Sequence, residues 1–388
     1  MTLHLNSQFD SGNISVQSIE VEANGDHRVK LTINLDRQSE FLQWFHFEAS
    51  GLSGERVHFS IENAGDTTYP DGWKDFNVVC SSNCLEWQRL PSEYDGQSLS
   101  WTVAAEANVM RFAYFAPYSL ERQAEFLGAV SDHAGVSYAS LGQTLDGRQL
   151  PYLLIDKHPD DEREEQHPVW VVARQHPGES MASWWIEGWL DRLLDEEDAT
   201  SRALRRKAVI HVMPNMNPDG CYRGHLRTNA AGANLNREWA APSMENSPEV
   251  YLTRNQMDKT GVHLLLDIHG DEALPYNFIA GTEGVSGWDQ QKDQQLIAFK
   301  HTVAALNPDF QTVHGYPRNQ PDSANLSFCS NQLANRFNCL AMTLEMPFKD
   351  TKDTPRPKVG WSPDRCQRLG ATFVDAVYLA LTDNLISG

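Results

Sequence analysis

Val169-Trp170-Val171-Val172-Ala173-Arg174-Gln175-His176-Pro177-Gly178-Glu179-Ser180 decides the reading of the chain. Its first five residues are apolar without a break, the pattern of a strand covered on both faces. Just beyond the run, His176 and Glu179 stand three apart. Imidazole and carboxylate both ligate zinc, and at this spacing both reach one ion across a turn. A helix is predicted from Ser180 to Leu194, with Ser180 as its cap. Alone, H-x-x-E is a weak signal: with 14 histidines about one such pair arises by chance. An exposed loop would carry it equally well.

Working outward, three more apolar runs follow: Ala208–Met213, Val262–Ile268 and Cys339–Leu344. Separated by helical stretches, they predict an α/β domain with its sheet covered on both faces. Ser119–Val130 has helical spacing, with Leu120, Phe126, Leu127 and Val130 apolar. The acidic stretch Asp160–Glu165 reads as a solvated loop. Upstream of Pro117 the pattern is different. His27–Leu35, Phe41–Phe47, Arg56–Ile61, Leu99–Val103 and Val109–Phe115 read as short strands broken by turn residues. They predict a β-sandwich over residues 1–116, ahead of an α/β unit over 117–388.

The whole composition bounds what these units do. At about 100–200 residues per domain, 388 residues make two or three. Apolar content is 40% and charged content 22%, enough to build real cores. There are 52 acidic and 32 basic side chains, a formal net charge of −20. Nucleic acids and anionic membranes need clustered Lys and Arg, so neither is an expected partner. No stretch nears the ~18 apolar residues of a membrane helix. Met1–Asn6 carries neither a basic region nor an apolar one, so no secretory signal is expected. Six scattered cysteines without a C-x-x-C pair fit free thiols in a reducing cytoplasm.

Further polar groups gather at strand ends, where open α/β sheets hold their ligands. Asp267-Ile268-His269-Gly270-Asp271 ends one apolar run. With His176 and Glu179, His269 makes three ligands and leaves a fourth zinc position open for water, as a catalytic site requires. Hydrolysis also needs a base for that water's proton. Glu345, after the apolar Met342-Thr343-Leu344, is the candidate, with burial raising its pKa. Asn215-Met216-Asn217-Pro218-Asp219-Gly220 reads first as a turn. Beyond it lie Arg227 and Asn234-Leu235-Asn236-Arg237-Glu238-Trp239. A guanidinium beside an amide suits capture of a carboxylate. A structural pairing of Arg237 with Glu238 or Asp219 is the plainer alternative.

H-P-G-E, N-P-D-G, N-L-N-R-E-W, D-I-H-G and T-L-E, in this order, resemble the zinc carboxypeptidases of the carboxypeptidase A type. The β region and the Phe115-Ala116-Pro117-Tyr118-Ser119 junction resemble the cytosolic carboxypeptidase subgroup, including its bacterial members. The resemblance implies an α/β/α sandwich on a mixed sheet, preceded by an antiparallel β-sandwich. It implies one Zn2+ per chain on His176, Glu179 and His269, with Glu345 as the catalytic glutamate. Arg227 matches the arginine that stabilises the oxyanion, and Asn236 with Arg237 the grip on the terminal carboxylate. The family tyrosine stands some twenty residues before the glutamate, which here falls at Asp322 or Ser323; Tyr316 is the nearest candidate. Asp271 stands where the digestive enzymes have a tyrosine, so their side-chain pocket does not transfer.

The expected activity is hydrolysis of the C-terminal peptide bond of peptides or proteins in the cytoplasm. The subgroup's activity makes glutamate tails the first guess, with Arg318 and His314 as candidate basic contributors. Two competitors remain. One is a small-molecule amidase of the aspartoacylase or desuccinylase type, whose extra domain follows the catalytic one. The other is a non-catalytic binding protein on the same fold. The sequence does not define an oligomeric state.

Overall fold

The computed structural model describes residues 3–105, 107–156 and 166–382; Asp160–Glu165 lies outside the described residues. The first part of the chain forms β1 (His4–Asn6), β2 (Ser15–Val21), β3 (His27–Thr32), β4 (His46–Ser50), β5 (Arg56–Ile61), β6 (Val78–Ser81), β7 (Gln88–Leu90), β8 (Ser92–Tyr94), β9 (Leu99–Ala104) and β10 (Val109–Ala113). They make two five-stranded sheets, ordered β1-β4-β10-β6-β7 and β2-β3-β5-β9-β8. Neighbours are antiparallel except β3 and β5, which run parallel. Period-2 alternation sends Val57, Phe59 and Ile61 of β5 and Leu99, Trp101 and Val103 of β9 inward. Phe59 stacks on Trp101 at 5.3 Å, and Phe47 on Phe112 at 5.2 Å. The strand expected over Phe41–Phe47 begins only at His46 and continues to Ser50. Before it the backbone bonds to loop residues and not to a strand: the Asp36 N–H donates to the Phe41 carbonyl, the Thr68 N–H to the Leu42 carbonyl, and the Leu42 N–H to the Thr68 hydroxyl.

The rest of the chain adds α1 (Leu120–Ser131), β11 (Val136–Gln143), β12 (Gln149–Ile155), β13 (His167–Ala173), α2 (Met181–Leu193), α3 (Ala199–Lys207), β14 (Ala208–Met213), α4 (Pro218–Arg223), α5 (Pro248–Thr260), β15 (Leu264–Asp271), β16 (Phe278–Ala280), α6 (Gln290–Leu306), α7 (Cys329–Phe337), β17 (Leu340–Pro347) and α8 (Pro363–Thr382). The seven strands order as β11-β12-β14-β13-β15-β17-β16. β14, β13, β15 and β17 are parallel; β12 and β16 run antiparallel to them, and the edge strand β11 pairs antiparallel with β12. Val169, Val171 and Ala173 of β13 join the core shared with α2, α6 and α8, while Trp170 and Val172 join a second core with α5 and α7. This is the α/β/α sandwich. α2 lies close against α8: a Cβ at Gly188 would come within 2.1 Å of the Gln367 carbonyl, and one at Gly370 within 2.2 Å of the Trp185 carbonyl.

The N-terminal sheets and the α/β part share one continuous core. Tyr114 stacks on Phe348 at 4.4 Å, and the Arg89 guanidinium donates to the Phe348 and Trp361 carbonyls at 2.7 and 3.2 Å. Ser180 precedes α2 but does not cap it. Its hydroxyl donates instead to the Ala116 carbonyl at 2.9 Å, as does the Trp184 indole at 3.0 Å.

Candidate active site

β13 ends at Ala173, and Arg174 takes a left-handed φ of 61° that turns the chain sharply. The turn is held from inside. Buried Arg174 donates to the Pro177 carbonyl and the Ser183 hydroxyl, both at 2.8 Å. Asn217 donates to the Gln175 carbonyl at 3.0 Å, and its own carbonyl oxygen accepts from the Gly220 N–H, capping α4. Asn-Pro-Asp-Gly is therefore a helix start packed under the turn, with Pro218 in the first helical turn.

His176 and Glu179 project from this turn, and His269 from β15, which runs to Asp271, beyond the apolar run Val262–Ile268. All three are buried. His176 Nδ1 lies 2.7 Å from one Glu179 oxygen, His269 Nδ1 lies 2.8 Å from the other, and the two Nδ1 atoms are 3.1 Å apart. Each Nε2 faces an oxygen acceptor: Asn234 Oδ1 at 3.0 Å for His176 and Asp267 Oδ1 at 3.0 Å for His269. In the neutral rings the protons therefore sit on Nε2, and both Nδ1 lone pairs converge on Glu179. Lone pairs this close repel unless a cation lies among them.

The charge balance points the same way. Burial opposes charge at His269, yet Asp267 and Glu179 outweigh it and push the imidazole well up. Burial, helped by Arg227, takes His176 down to about 4. Against its own burial, Glu179 is driven down by the two imidazoles. The centre attracts positive charge, and two imidazoles with one carboxylate are the donor set of an open zinc site.

Glu345 lies in β17, which continues to Pro347 instead of ending at Leu344, because β15 pairs with it that far. The parallel register sets Glu345 directly beside His269. One of its oxygens is buried with no hydrogen-bond partner among the described residues. Burial raises its carboxyl well above the usual range; His269 opposes this, and Glu179, Asp271 and Glu272 add to it.

Arg227 stands 3.6 Å from Glu179 and 3.9 Å from Glu272, with its guanidinium 5.5 Å from the centre of the Tyr69 ring. Arg237 lies over Phe328 at 3.6 Å and donates to the Asn236 carbonyl at 2.7 Å. It pairs with neither Glu238, which bonds Ser247, nor Asp219, which bonds Thr144 and Arg148. Among the described residues Arg237 makes no side-chain ion pair, and burial, with Arg227 nearby, lowers its pKa to about 10. Asn236 Oδ1 accepts from the Cys329 N–H at 2.8 Å, which fixes its amide. The half-exposed Tyr316 donates its hydroxyl to Asp271 at 2.6 Å.

His176, Glu179, Arg227, Asn236, Arg237, His269, Tyr316 and Glu345 all line one cleft of about 750 Å³. Asp271 lines it too, as do Tyr69, Lys300 and Glu272, which the sequence did not single out. Burial pushes Glu272 up to about 8, with Arg227 opposing. Arg318 reaches the cleft but is exposed and bound to Asp293 at 2.6 Å. His314 stacks on Tyr276 and is not among the lining residues. All six cysteines are free, and Cys84 alone is exposed. No helix among the described residues is long and apolar enough to cross a membrane.

Two family models match the chain. Residues 5–115 match the cytosolic carboxypeptidase N-terminal domain, and residues 127–284 match the zinc carboxypeptidase family. A metallo-carboxypeptidase from Burkholderia cenocepacia is 40% identical and superposes with a TM-score of 0.94, over 98% of this chain and 100% of that one. A metallo-carboxypeptidase from Pseudomonas aeruginosa, solved with (2-guanidinoethylmercapto)succinic acid, is 40% identical with a TM-score of 0.92, over 99% and 100%. Human cytosolic carboxypeptidase 6 is 30% identical over 329 residues, 78% of this chain and 63% of its own. The chain belongs to the zinc carboxypeptidases, in the cytosolic carboxypeptidase branch, and is a metallo-carboxypeptidase.

Proposed function

We propose that the protein removes C-terminal residues from peptides or proteins in the cytoplasm, using one zinc ion per chain on His176, Glu179 and His269. The observation that carries the exopeptidase reading is Arg237, a cation without an ion pair among the described residues, in the cleft that also holds the three candidate ligands. Such a group is ready for a substrate carboxylate, and Asn236 beside it adds an oriented amide. The ligand in the structure of the Pseudomonas aeruginosa relative, a succinic acid derivative, has the matching chemistry. When bound, zinc lowers the pKa of a water and polarises the scissile carbonyl. Glu345, raised by burial, takes the water's proton and gives it to the leaving amine. Arg227 meets the negative charge that develops on the carbonyl oxygen. Tyr316 lines the approach to the bound tail.

We extend the reading to acidic C-terminal residues, glutamate first. Lys300, half-buried in the cleft wall, supports this, while Glu283, Asp293 and the net charge of −20 act against it. The chain divides at Pro117 into a β unit, 1–116, and the zinc-bearing unit, 117–388.

The test is zinc content together with activity on a library of peptides differing in the C-terminal residue, beside N-acyl amino acids. One zinc per chain with release of C-terminal residues, fastest for glutamate, is expected. Turnover of N-acyl amino acids alone would make the protein an amidase, and zinc without turnover a binding protein.

A further inference from the structure

Arg227 belongs to neither a helix nor a strand: α4 ends at Arg223 and the next short helical turn begins at Leu235. Its backbone is held from the other end of the chain. Asp36, 2% exposed in the loop after β3, accepts from the Leu226 N–H at 2.6 Å, the Arg227 N–H at 2.8 Å, the Thr228 N–H at 2.9 Å and the Thr228 hydroxyl at 3.1 Å. Three consecutive backbone donors thus converge on a carboxylate 191 residues before Arg227. The other edge of the segment is tied to the ligand turn, where the Gly178 N–H donates to the Leu226 carbonyl at 2.8 Å. Arg37 N–H donates to His225 Nε2 at 3.1 Å. Gly232, at φ +78°, lets Gln38 approach, since a Cβ there would lie 2.3 Å from the Gln38 carbonyl. Tyr69, also from the β part, forms the platform under the guanidinium.

We propose that Asp36 is a positioning residue for Arg227, so that the N-terminal β unit sets the oxyanion site of the α/β unit. The proposal rests on the role of Arg227 given above. A donor aimed at developing charge works through preorganisation. A long side chain on irregular backbone keeps its aim only while that backbone is fixed, and a misplacement of about 1 Å can cost ~10²-fold. An ionised carboxylate accepts all four bonds, whereas an asparagine amide would turn N–H against N–H. Charge on the oxyanion exists only in the transition state, so the loss falls on kcat and not on KM. Arg237, which holds the ground-state carboxylate, rests on Phe328 and the Asn236 carbonyl instead.

The test is a double-mutant cycle on the full zinc-loaded chain: wild type, Asp36→Asn, Arg227→Ala and the double variant, assayed on a free-acid peptide. Asp36→Asn is expected to lower kcat by ~10–100-fold, with KM, zinc content and affinity for the product amino acid each within about twofold. In the Arg227→Ala background the same change is expected to cost less than about twofold. Equal losses in both backgrounds overturn the proposal, as does a rise in KM at unchanged kcat. If Arg227→Ala alone leaves kcat intact, the role of Arg227 falls first, and the single variant reveals it. Where Asp36→Asn does not fold, Thr228→Val, which removes only the hydroxyl bond, goes through the same cycle. A several-fold kcat loss that vanishes without Arg227 supports the link; no loss, or one that persists, refutes it.

Discussion

At Glu345 a buried oxygen has no hydrogen-bond partner among the described residues, a state that costs ~1–3 kcal/mol for an ordinary acceptor. The neighbouring Glu179, Asp271 and Glu272 add like charge. Glu345→Gln removes the charge and leaves the three ligands untouched. The variant is expected to keep zinc and an equal or higher Tm while kcat falls ~10²–10⁴-fold. Turnover close to wild type, with metal analysis showing zinc in place, removes Glu345 from the proton transfer. His176, Glu179, Asn236, Arg237, His269 and Glu345 are candidates in the sequence because they sit in short motifs at a strand end or turn; Arg227 and Tyr316 stand outside such motifs. Asp267 stands in the D-I-H-G motif and holds His269. Its signal was the spacing of two in a strand, which puts both side chains on one face. Lys300 and Tyr69 had no such signal; only the fold brings them to the cleft.

Among the elements, the four central strands were legible because both faces are buried, so apolar residues run without alternation. Their C-terminal ends were not, because His269, Asp271 and Glu345 are polar yet continue the ladder. Short edge strands such as β7 and β8 carry too few residues to make a pattern. Helix α5 holds a separate titration at its start. Glu249, fully buried, accepts weakly from Asn229 at 3.2 Å, and burial raises its carboxyl from 4.5 to about 7. The folded state then holds this proton more tightly than the unfolded chain. No stability is lost below pH ~4.5; the loss grows as pH rises to about 7 and is flat beyond it. At about 1.4 kcal/mol per unit its full size is roughly 3 kcal/mol. Glu249→Gln keeps an acceptor for Asn229 without the charge. Urea unfolding is expected to show the variant little changed at pH 5 and more stable than wild type at pH 8. An advantage that does not grow between those values contradicts the account.

At the scale of the molecule, the sequence reads as two units, 1–116 and 117–388, and carries no sign of the core that runs through both. Contacts such as Asp36 with Arg227, and Tyr114 with Phe348, join residues too far apart in the chain for any local pattern. Residues 117–388 alone would uncover Phe348, which packs on Tyr114 and Phe115, and would free the Arg227 segment. That fragment is expected to aggregate or to bind hydrophobic dye strongly; a monomeric fragment with the wild-type Tm would contradict the shared core. The central claim is that the molecule reads a free C-terminus. It is tested most directly by kcat/KM for one peptide as free acid and as C-terminal amide, with wild type and Arg237→Ala. Truncating one partner of a desolvated charge pair costs ~2–5 kcal/mol. The wild type is expected to prefer the acid strongly. Arg237→Ala is expected to lose roughly 30-fold or more on the acid and little on the amide. Equal losses on acid and amide would contradict the carboxylate grip, and with it the exopeptidase account.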